Sequence, residues 1–443
     1  MTSEVLAVWM DGCPFPAGHL TRGDDGNTGF GYEPDYILAN RPPLSLSLPV
    51  GDEPFDDIQT RAFFANLLPE NAQLQRILDR EGIERGDVVG LLAHLGADCA
   101  GAVSCLPVGD PPVKTPGRLE TDYDILDDKA LINIVRSLAD LKRLPGDVND
   151  PSPVAGVQSK IALTLLPGRQ FALPKAGLRV PTTHILKVPE RRSGRDAKFE
   201  ETAALLARAV GLDVSIPEAI TVGDYDALLI ERFDRRVEDG VVTRIHQEDF
   251  AQALGFSSDL KYQRRGKPGR QFDVAAALSV LDRTRDPEAA RLAFLLSTLF
   301  NLCIGNTDNH AKNYALLYDR PGLPRLAPLY DMLPIRLDDR YTHQLAFNIG
   351  NATHFDDMSA EDLAAFLIQC GVADGPDFVE AAVVPLVERL EEAARTLRSL
   401  QLRRFDNLIG RETDRLVDLF SAAVDVRERD SFEERGGGWL QGS

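Results

Sequence analysis

The stretch Gly305–Asn313, with the sequence GNTDNHAKN, decides how we interpret the whole chain. It places Asp308 and Asn313 at the spacing Asp-x-x-x-x-Asn. At this spacing protein kinases supply a carboxylate that orients the acceptor hydroxyl and an amide oxygen that holds Mg²⁺. A second carboxylate, Asp331, follows in the segment LYDM. Because Mg²⁺ prefers hard oxygen ligands and keeps water in its other positions, two side chains and the oxygens of ATP suffice to hold it.

The sequence on either side of this stretch supports that interpretation. An apolar run at 293–304 predicts a buried helix that leads into the stretch, and Gly305 suits the position just after its end. Tyr314–Tyr318 predicts a short strand, and the turn at Asp319–Gly322 returns the chain towards Asp331. Asp-x-x-x-x-Asn alone occurs often by chance, but the order loop, hairpin, carboxylate is that of a kinase active site.

Composition restricts the classes of protein that fit. The 443 residues predict two to four domains, and the 68 acidic and 49 basic residues give a net charge of −19, which argues against nucleic-acid binding through the overall field. The five cysteines are odd in number and lack Cys-x-x-Cys spacing, which indicates reduced thiols. With no leader and no apolar stretch of about 18 residues, we expect a cytoplasmic protein without membrane contact.

The first 110 residues predict a separate sheet-and-helix domain. Alternating and β-branched runs predict four strands, and a 3.6-residue period predicts three helices. The predicted strands are 5–10, 28–32, 44–48 and 101–107, and the predicted helices are 62–68, 74–78 and 88–95. A segment rich in proline and charge, 109–117, marks the boundary to the next domain.

A second chemical element follows a predicted amphipathic helix at 127–142. The segment 154–163 is a turn of small residues that enters a strand and carries Lys160, as in a loop that covers the phosphates of ATP. A plain β-hairpin with an exposed lysine fits this segment equally well. Farther on, Lys187 lies in a predicted strand, and Glu200 lies in the first turn of a predicted helix. The two could pair as the Lys and Glu of kinases do.

Two charged segments leave open alternatives. Asp226–Ile230 predicts a strand that ends at Glu231–Arg236, the place of an adenine-binding hinge, although composition alone favours a solvated run of charges there. The basic segment Lys261–Arg270 stands out in an acidic chain. It is either a solvated loop or a surface that faces the substrate or an RNA bound to it.

The order of these motifs resembles the HipA family of bacterial serine/threonine kinases, the toxins of HipBA-type toxin–antitoxin modules. The resemblance covers most of the chain and includes several motifs besides those above. These are VWM (8–10), PLSLSLP (43–49), FFANLLP (63–69), GAV (101–103), AGVQSK (155–160), PTTHILK (181–187), ERFDR (231–235), HQEDF (246–250), TDNHAKN (307–313) and PLYD (328–331).

The resemblance implies a role for each matching position. It implies Asp308 as the catalytic residue, and Asn313 and Asp331 as metal ligands. His310 and Lys312 either reach a phosphate or support the loop from behind. The implied nucleotide-binding residues are Ala155, Gly156, Val157, Gln158, Ser159, Lys160, Lys187, Glu231, Arg232, Phe233, His310, Lys312, Asn313, Tyr330 and Asp331.

The implied fold is α+β, a two-lobed protein-kinase-like fold of HipA type. It comprises an N-terminal sheet-and-helix subdomain (1–110), a linker helix with the kinase N-lobe (111–236) and an all-helical C-lobe (237–443). Predicted helices at 360–369, 378–397 and 412–424 agree with the last part. One position departs from the family. Pro153 stands where the family commonly has an autophosphorylated serine, so silencing by that route is not expected unless Ser152 or Ser159 replaces it.

We therefore expect an ATP- and Mg²⁺-dependent serine/threonine protein kinase. The resemblance implies a bacterial protein substrate such as an aminoacyl-tRNA synthetase, restraint by a HipB-like antitoxin, and nucleic-acid contact only through that antitoxin. The alternative is a catalytically weak nucleotide-binding scaffold or co-repressor that acts with a DNA-binding antitoxin. A metal-dependent hydrolase is disfavoured because nothing in the sequence positions a nucleophilic water.

Overall fold

The computed structural model describes residues 4–68, 78, 82–84, 86–146, 148, 159–189, 195–373, 375–398 and 402–434, with only the backbone described in 423–434. The chain forms two compact units. The first comprises Met1–Glu201, Ser215–Asp259 and Ala315–Pro328, and the second comprises Thr202–Val214, Leu260–Tyr314 and Leu329–Ser443. Mixed helix and sheet content agrees with the α+β class. The predicted boundaries at 110 and 236 stay predictions.

The first unit begins with an antiparallel sheet in the order β3-β2-β1-β4. Its core includes the aromatic rings of Phe30, Phe63 and Phe64, all buried. Asp56 begins helix α2 with a capping box. Its carboxylate accepts the N–H of Gln59, and the Gln59 side chain accepts the N–H of Asp56. The elements are β1 (Glu4–Met10), β2 (Gly18–Arg22), β3 (Thr28–Tyr32), α1 (Pro34–Leu38), α2 (Asp57–Phe64), α3 (Val88–Leu95) and β4 (Val103–Pro107).

One predicted strand in this region is wrong. Leu44–Leu48 forms a turn closed by a bridge between Ser45 and Leu48. Its serines point to partners far along the chain: Ser45 donates to the Glu248 carboxylate, and Ser47 donates to the carbonyl of Gln252. The predicted helix at 62–68 ends as a 3₁₀ turn, whereas that at 74–78 lies, except for its last residue, outside the described residues.

A six-stranded sheet in the order β10-β11-β9-β7-β8-β6 forms the second part of the first unit. Helix α4 covers it with buried residues at a helical spacing of three and four, among them Leu131, Ile134 and Leu138, which share one core with Ile161 and Leu186. The elements of this part of the chain are β5 (Gly117–Arg118), β6 (Tyr123–Ile125), α4 (Asp128–Leu141), β7 (Lys160–Leu166), β8 (Gln170–Pro174), β9 (His184–Lys187), α5 (Asp196–Ala209), β10 (Glu218–Val222) and β11 (Tyr225–Glu231), of which β5 belongs to another sheet.

Two three-stranded sheets, β12-β13-β5 and β14-β15-β16, complete the first unit. Strand β14 lies near the turn Leu44–Leu48, because Glu248 accepts hydrogen bonds from the Ser45 and Tyr318 hydroxyls and from the N–H of Leu46. The elements are β12 (Arg235–Glu238), β13 (Val241–Arg244), β14 (His246–Asp249), α6 (Phe250–Ala253), β15 (Ala315–Tyr318) and β16 (Arg325–Leu326).

The second unit consists mainly of helices. Its elements are α7 (Val274–Leu281), α8 (Pro287–Cys303), β17 (Gln344–Ile349), β18 (Ala352–His354), α9 (Ala360–Gln369), α10 (Gly375–Phe378), α11 (Val384–Ala394) and α12 (Arg403–Glu434). The hairpin β17–β18 shows that the expectation of an all-helical part from residue 237 onwards is wrong, as do β12–β16. The register of this hairpin shifts between Gln344 and Ile349. Within the described ranges, every helix is too short or too polar to span a lipid bilayer.

Candidate functional site

Helix α8 leads directly into the predicted catalytic loop, Gly305–Asn313. Asp286 caps its first turn by accepting the N–H of Ala289, and its largely buried side chains fix its position. Gly305 follows with a φ of +70°, and a Cβ there would lie 2.7 Å from the side chain of Leu408 on α12. The Gly305 carbonyl also accepts the N–H of Arg336 at 3.0 Å. Both the left-handed backbone and the contact with α12 therefore require glycine at this turn.

Hydrogen bonds within the loop fix Asp308 and Asn313 relative to each other. The Asn313 amide donates from Nδ2 to the Asp308 carbonyl at 2.8 Å, and the His310 N–H donates to the same carbonyl at 2.8 Å. The Asn306 side chain accepts the N–H of Asp308 at 3.1 Å. Because Nδ2 is used inside the loop, the Asn313 amide leaves its oxygen, Oδ1, as the atom that could bind a cation.

The Asp308 carboxylate accepts a hydrogen bond from the Tyr262 hydroxyl at 2.6 Å. Burial raises the pKa of Asp308, the Tyr262 hydrogen bond opposes this, and the negative charge of Asp331 raises it again. The influence of Asp331 places the two carboxylates in one electrostatic environment. A cation between them would remove this repulsion.

Asp331 is held in an unusual backbone conformation. Its φ is +57°, in the left-handed region that costs a non-glycine residue about 1 kcal/mol. The residue before it, Tyr330, donates its hydroxyl to the Lys312 carbonyl at 2.7 Å, which ties this segment to the catalytic loop. Such a conformation at an exposed carboxylate is common where function requires it.

The oxygens of Asn313 and Asp331 suit Mg²⁺ rather than a softer metal. Among the described residues no group of three or more His, Cys, Asp or Glu side chains is arranged to hold a metal ion. A site of one amide and one carboxylate oxygen is therefore incomplete without further oxygens. Mg²⁺ tolerates this arrangement because phosphate and water can occupy the rest of its octahedron.

His310 is buried beside these residues. Its side chain has a buried ring nitrogen, Nδ1, for which the described residues offer no hydrogen-bond partner. Burial, helped by the positive charge of Lys261, lowers the pKa of His310 to about 3, so the ring is neutral at pH 7. Buried polar atoms nearly always have a partner, and a bound ligand is one way to supply it. Lys312 is only half-buried.

In the first unit, Lys187 and Glu200 form the predicted buried pair. Lys187 Nζ lies 2.7 Å from Glu200 Oε2, with side-chain exposures of 9% and 5%. Glu200 lies in the second turn of α5 rather than the first, because that helix begins at Asp196. Lys160 lies directly opposite Lys187 in the β7–β9 register, so both lysines emerge on one face of the sheet. Because both lysines are positively charged, this face of the sheet favours binding of a polyanion.

The predicted hinge is not a solvated run of charges. Arg232 donates two hydrogen bonds to the Asp234 carboxylate at 3.0 and 2.9 Å, and Arg235 donates a third at 2.8 Å, all buried. Burial alone would raise the pKa of Asp234, but the two guanidinium groups hold it well below its usual range. Glu231, exposed at the end of β11, and Phe233, half-buried, flank Arg232. The interpretation based on composition was therefore wrong, while a role in adenine binding stays a prediction.

Most of the predicted phosphate loop falls outside the described residues. This applies to Ala155, Gly156, Val157 and Gln158, and also to Ser152 and Pro153. Ser159 is described, and its carbonyl accepts the N–H of Val188 at 2.8 Å, which joins the end of the loop to β9.

Sequence reasoning missed the role of Tyr262. It had noted the segment Lys261–Arg270 only for its positive charge. In the structure the Lys261 carbonyl accepts the N–H of Ala311 at 3.1 Å, so the start of this segment is part of the catalytic loop's support. A tyrosine among basic residues was the only signal available, and it says nothing about a contact with Asp308.

Comparison with known proteins now decides the family. A family model described as the HipA-like C-terminal domain matches residues 152–407, and one described as the HipA N-terminal domain matches residues 6–106. The chain belongs to the HipA family. Its members include the "Serine/threonine-protein kinase toxin HipA" of Shewanella oneidensis, which is 32% identical over 342 residues, covering 74% of this chain and 75% of that protein.

Two further comparisons support the HipA assignment. A Sinorhizobium fredii protein named "Putative kinase Y4mE" is 36% identical over 402 residues, which cover 90% of this chain and 93% of the relative. A solved structure of HipA from Shewanella oneidensis, in a complex of HipA, HipB and operator DNA, has a TM-score of 0.79 and 26% identity, with 95% of this chain and 99% of that chain covered. This chain therefore has kinase-named and toxin-named relatives over most of its length.

Proposed function

We propose that this HipA-family chain is an ATP- and Mg²⁺-dependent serine/threonine protein kinase. The observation that carries the proposal is the catalytic loop, in which the Asn313 amide bonds to the Asp308 carbonyl at 2.8 Å. One short loop thereby holds a carboxylate for the acceptor hydroxyl and an amide oxygen for the metal in fixed relation. This arrangement is what phosphoryl transfer needs, because the chemistry depends mainly on positioning and charge stabilisation.

Each residue has a task in the proposed reaction. Asp308 orients the acceptor hydroxyl and takes its proton as the phosphoryl group is transferred. Lys187, held by Glu200, and Lys160 on the neighbouring strand neutralise phosphate charge. Asn313 and Asp331 hold Mg²⁺, which when bound supplies positive charge at the phosphate oxygens. The neutral His310 ring can donate to or accept from the nucleotide through its buried Nδ1.

The proposed partners follow from the family. We propose a bacterial protein substrate, such as an aminoacyl-tRNA synthetase, and a HipB-like antitoxin that restrains the kinase. The name of the solved Shewanella complex includes HipB and operator DNA, which supports the antitoxin for this chain. The net charge of −19 favours DNA contact through the antitoxin rather than through this chain's overall field.

The same complex favours a second candidate function, a nucleotide-binding scaffold or co-repressor with little turnover. The two candidates differ in whether Asp308 matters for chemistry. A scaffold needs nucleotide binding but no carboxylate that orients an acceptor.

Comparison of Asp308→Asn with the intact chain tests the proposal. Asp308→Asn should leave Mg²⁺-dependent ATP binding, measured by calorimetry, within a few-fold. It should lower phosphate incorporation into proteins of a bacterial lysate, measured by phosphoproteomics, at least about a hundredfold. Asp339→Asn is the matched control, because Asp339 is an exposed aspartate in the same unit. Incorporation at the level of a lysate without added protein, by both the intact chain and Asp308→Asn, would leave the scaffold as the remaining function.

A further inference from the structure

The carboxylate of Asp308 bonds to a residue that is remote in sequence. The Tyr262 hydroxyl donates to Asp308 Oδ1 at 2.6 Å across a separation of 46 residues, and the contact is partly buried. A distance of 2.6 Å is typical of a strong hydrogen bond from a hydroxyl to a charged oxygen. One oxygen of the proposed catalytic carboxylate is therefore used within the protein.

Several contacts hold the Tyr262 ring in place. The Arg264 guanidinium carbon lies over the ring, 4.0 Å from its centroid, and the His310 ring meets it edge to face at 5.0 Å and 81°. Both contacts are with the aromatic ring and do not involve its hydroxyl.

The backbone on both sides of Tyr262 is also fixed. The Lys261 carbonyl accepts the N–H of Ala311 in the catalytic loop at 3.1 Å. The Gln263 side chain accepts the N–H of Asn348 in β17 at 2.6 Å. The tyrosine thus lies on a segment attached to the catalytic loop on one side and to the hairpin β17–β18 on the other.

We propose that Tyr262 is a positioning residue for the phosphoryl transfer: its hydroxyl holds Oδ1 of Asp308 and thereby directs Oδ2 towards the acceptor hydroxyl. The inference rests on the proposed kinase function. An aspartate side chain has two rotatable bonds, and the hydrogen bond from Tyr262 restricts both. Loss of alignment at a reacting centre lowers the rate of the chemical step while binding of the substrates is retained.

The test compares the intact chain with Tyr262→Phe, which removes the hydroxyl and keeps the ring between Arg264 and His310. We expect kcat for protein phosphorylation to fall about ten- to a hundredfold. The KM values for ATP and for the protein acceptor should stay within about twofold, because ground-state contacts are retained. Unchanged hydrogen exchange of the catalytic loop verifies that the loop stays folded.

Tyr341→Phe provides a matched control. Tyr341 is exposed, lies in the same unit and also has an arginine, Arg340, near its ring at 5.9 Å. Removal of its hydroxyl should leave kcat unchanged. In the double variant Tyr262→Phe with Asp308→Asn, loss of the hydroxyl should cause no further decrease, because its partner carboxylate is already altered.

Each other outcome overturns the proposal in a distinguishable way. Unchanged kcat in Tyr262→Phe, with Asp308→Asn inactive, removes the positioning role and leaves the kinase intact. A higher kcat or a lower KM for the acceptor protein shows that the hydroxyl blocks the acceptor position. Phosphate mapped onto Tyr262 itself shows that it is an acceptor. Full activity in Asp308→Asn removes the catalytic role of Asp308 and with it the role of Tyr262, whereas no phosphorylation by the intact chain removes the kinase function itself.

Discussion

The buried pair of Lys187 and Glu200 offers a prediction with a defined magnitude. The two charged atoms lie 2.7 Å apart, and both side chains are at least nine-tenths buried. At an effective dielectric constant of about 20, the attraction between them is about 6 kcal/mol, and the cost of removing both from water offsets much of it. Replacing one partner alone removes this interaction from a charge that stays buried, which costs about 3–5 kcal/mol.

The prediction is tested by a double-mutant cycle with Lys187→Met, Glu200→Met and both together. Each single variant should lose about 3–5 kcal/mol of unfolding free energy, and the double variant should lose clearly less than the sum. The assay is urea unfolding without nucleotide, with hydrogen exchange of β9 amides assigning the transition to the first unit. The double variant should nevertheless fail to bind ATP, because the lysine proposed to neutralise the phosphate charge is gone.

An exposed pair in the same unit serves as the control. Arg169 lies 2.8 Å from Glu218, with side-chain exposures of 60% and 49%. The same cycle on this pair should give a coupling of about 0.2–1 kcal/mol. If the buried and exposed pairs give equal couplings, or if the double variant of the buried pair loses the full sum, the reasoning is refuted.

Further predictions concern three other regions. Asp331→Asn should abolish Mg²⁺-dependent ATP binding, measured by calorimetry, at little cost in stability. Asp331→Ala should also lower the melting temperature, because alanine is about 1 kcal/mol less stable at the φ of +57°. Full Mg²⁺-dependent binding by either variant would contradict the assignment of Asp331 as a metal ligand. Burial raises the pKa of Glu248 from 4.5 to about 7. The folded state therefore favours the protonated form, so this contribution to stability is complete below pH 4.5 and declines up to about pH 7, by about 3 kcal/mol. Glu248→Gln should flatten this decline of the unfolding free energy, measured by urea titrations between pH 4 and 8. An unchanged dependence of the unfolding free energy on pH would refute the role of Glu248. Charge reversal of the exposed Arg265 and Lys267 should weaken phosphorylation of the acceptor protein, most strongly at low salt, while ATP turnover stays unchanged. Equal phosphorylation rates of the variant and the intact chain at all salt concentrations would show that the segment is a solvated loop.

The sequence predicted those features that depend on residues close together in the chain. The helix before the loop, the glycine after it and the pairing of Lys187 with Glu200 followed from period, turn chemistry and charge. The strand predicted at Leu44–Leu48 failed because its alternating serines bond to Glu248 and Gln252, about two hundred residues away. Alternation records that two faces differ, and it does not tell whether the polar face meets water or another part of the protein.

Buried polar contacts that composition does not reveal account for the other differences. Arg232 and Arg235 were interpreted as solvated because they are charged, yet both are buried and donate hydrogen bonds to the carboxylate of Asp234, which lies between them in sequence. Tyr262 reaches Asp308 only because Lys261 bonds to the catalytic loop. No pattern in the segment Lys261–Arg270 specifies that partner.

The glycine turn after α8 has a consequence for when the protein becomes active. Gly305 packs against Leu408 of α12, and its carbonyl is bonded by Arg336, so the base of the catalytic loop depends on a helix translated long after the loop itself. During synthesis the loop leaves the ribosome before its support exists. A chain that still lacks α12 should therefore remain without the proposed phosphoryl transfer, and a cell making this protein would be exposed to that activity only after α12 has folded.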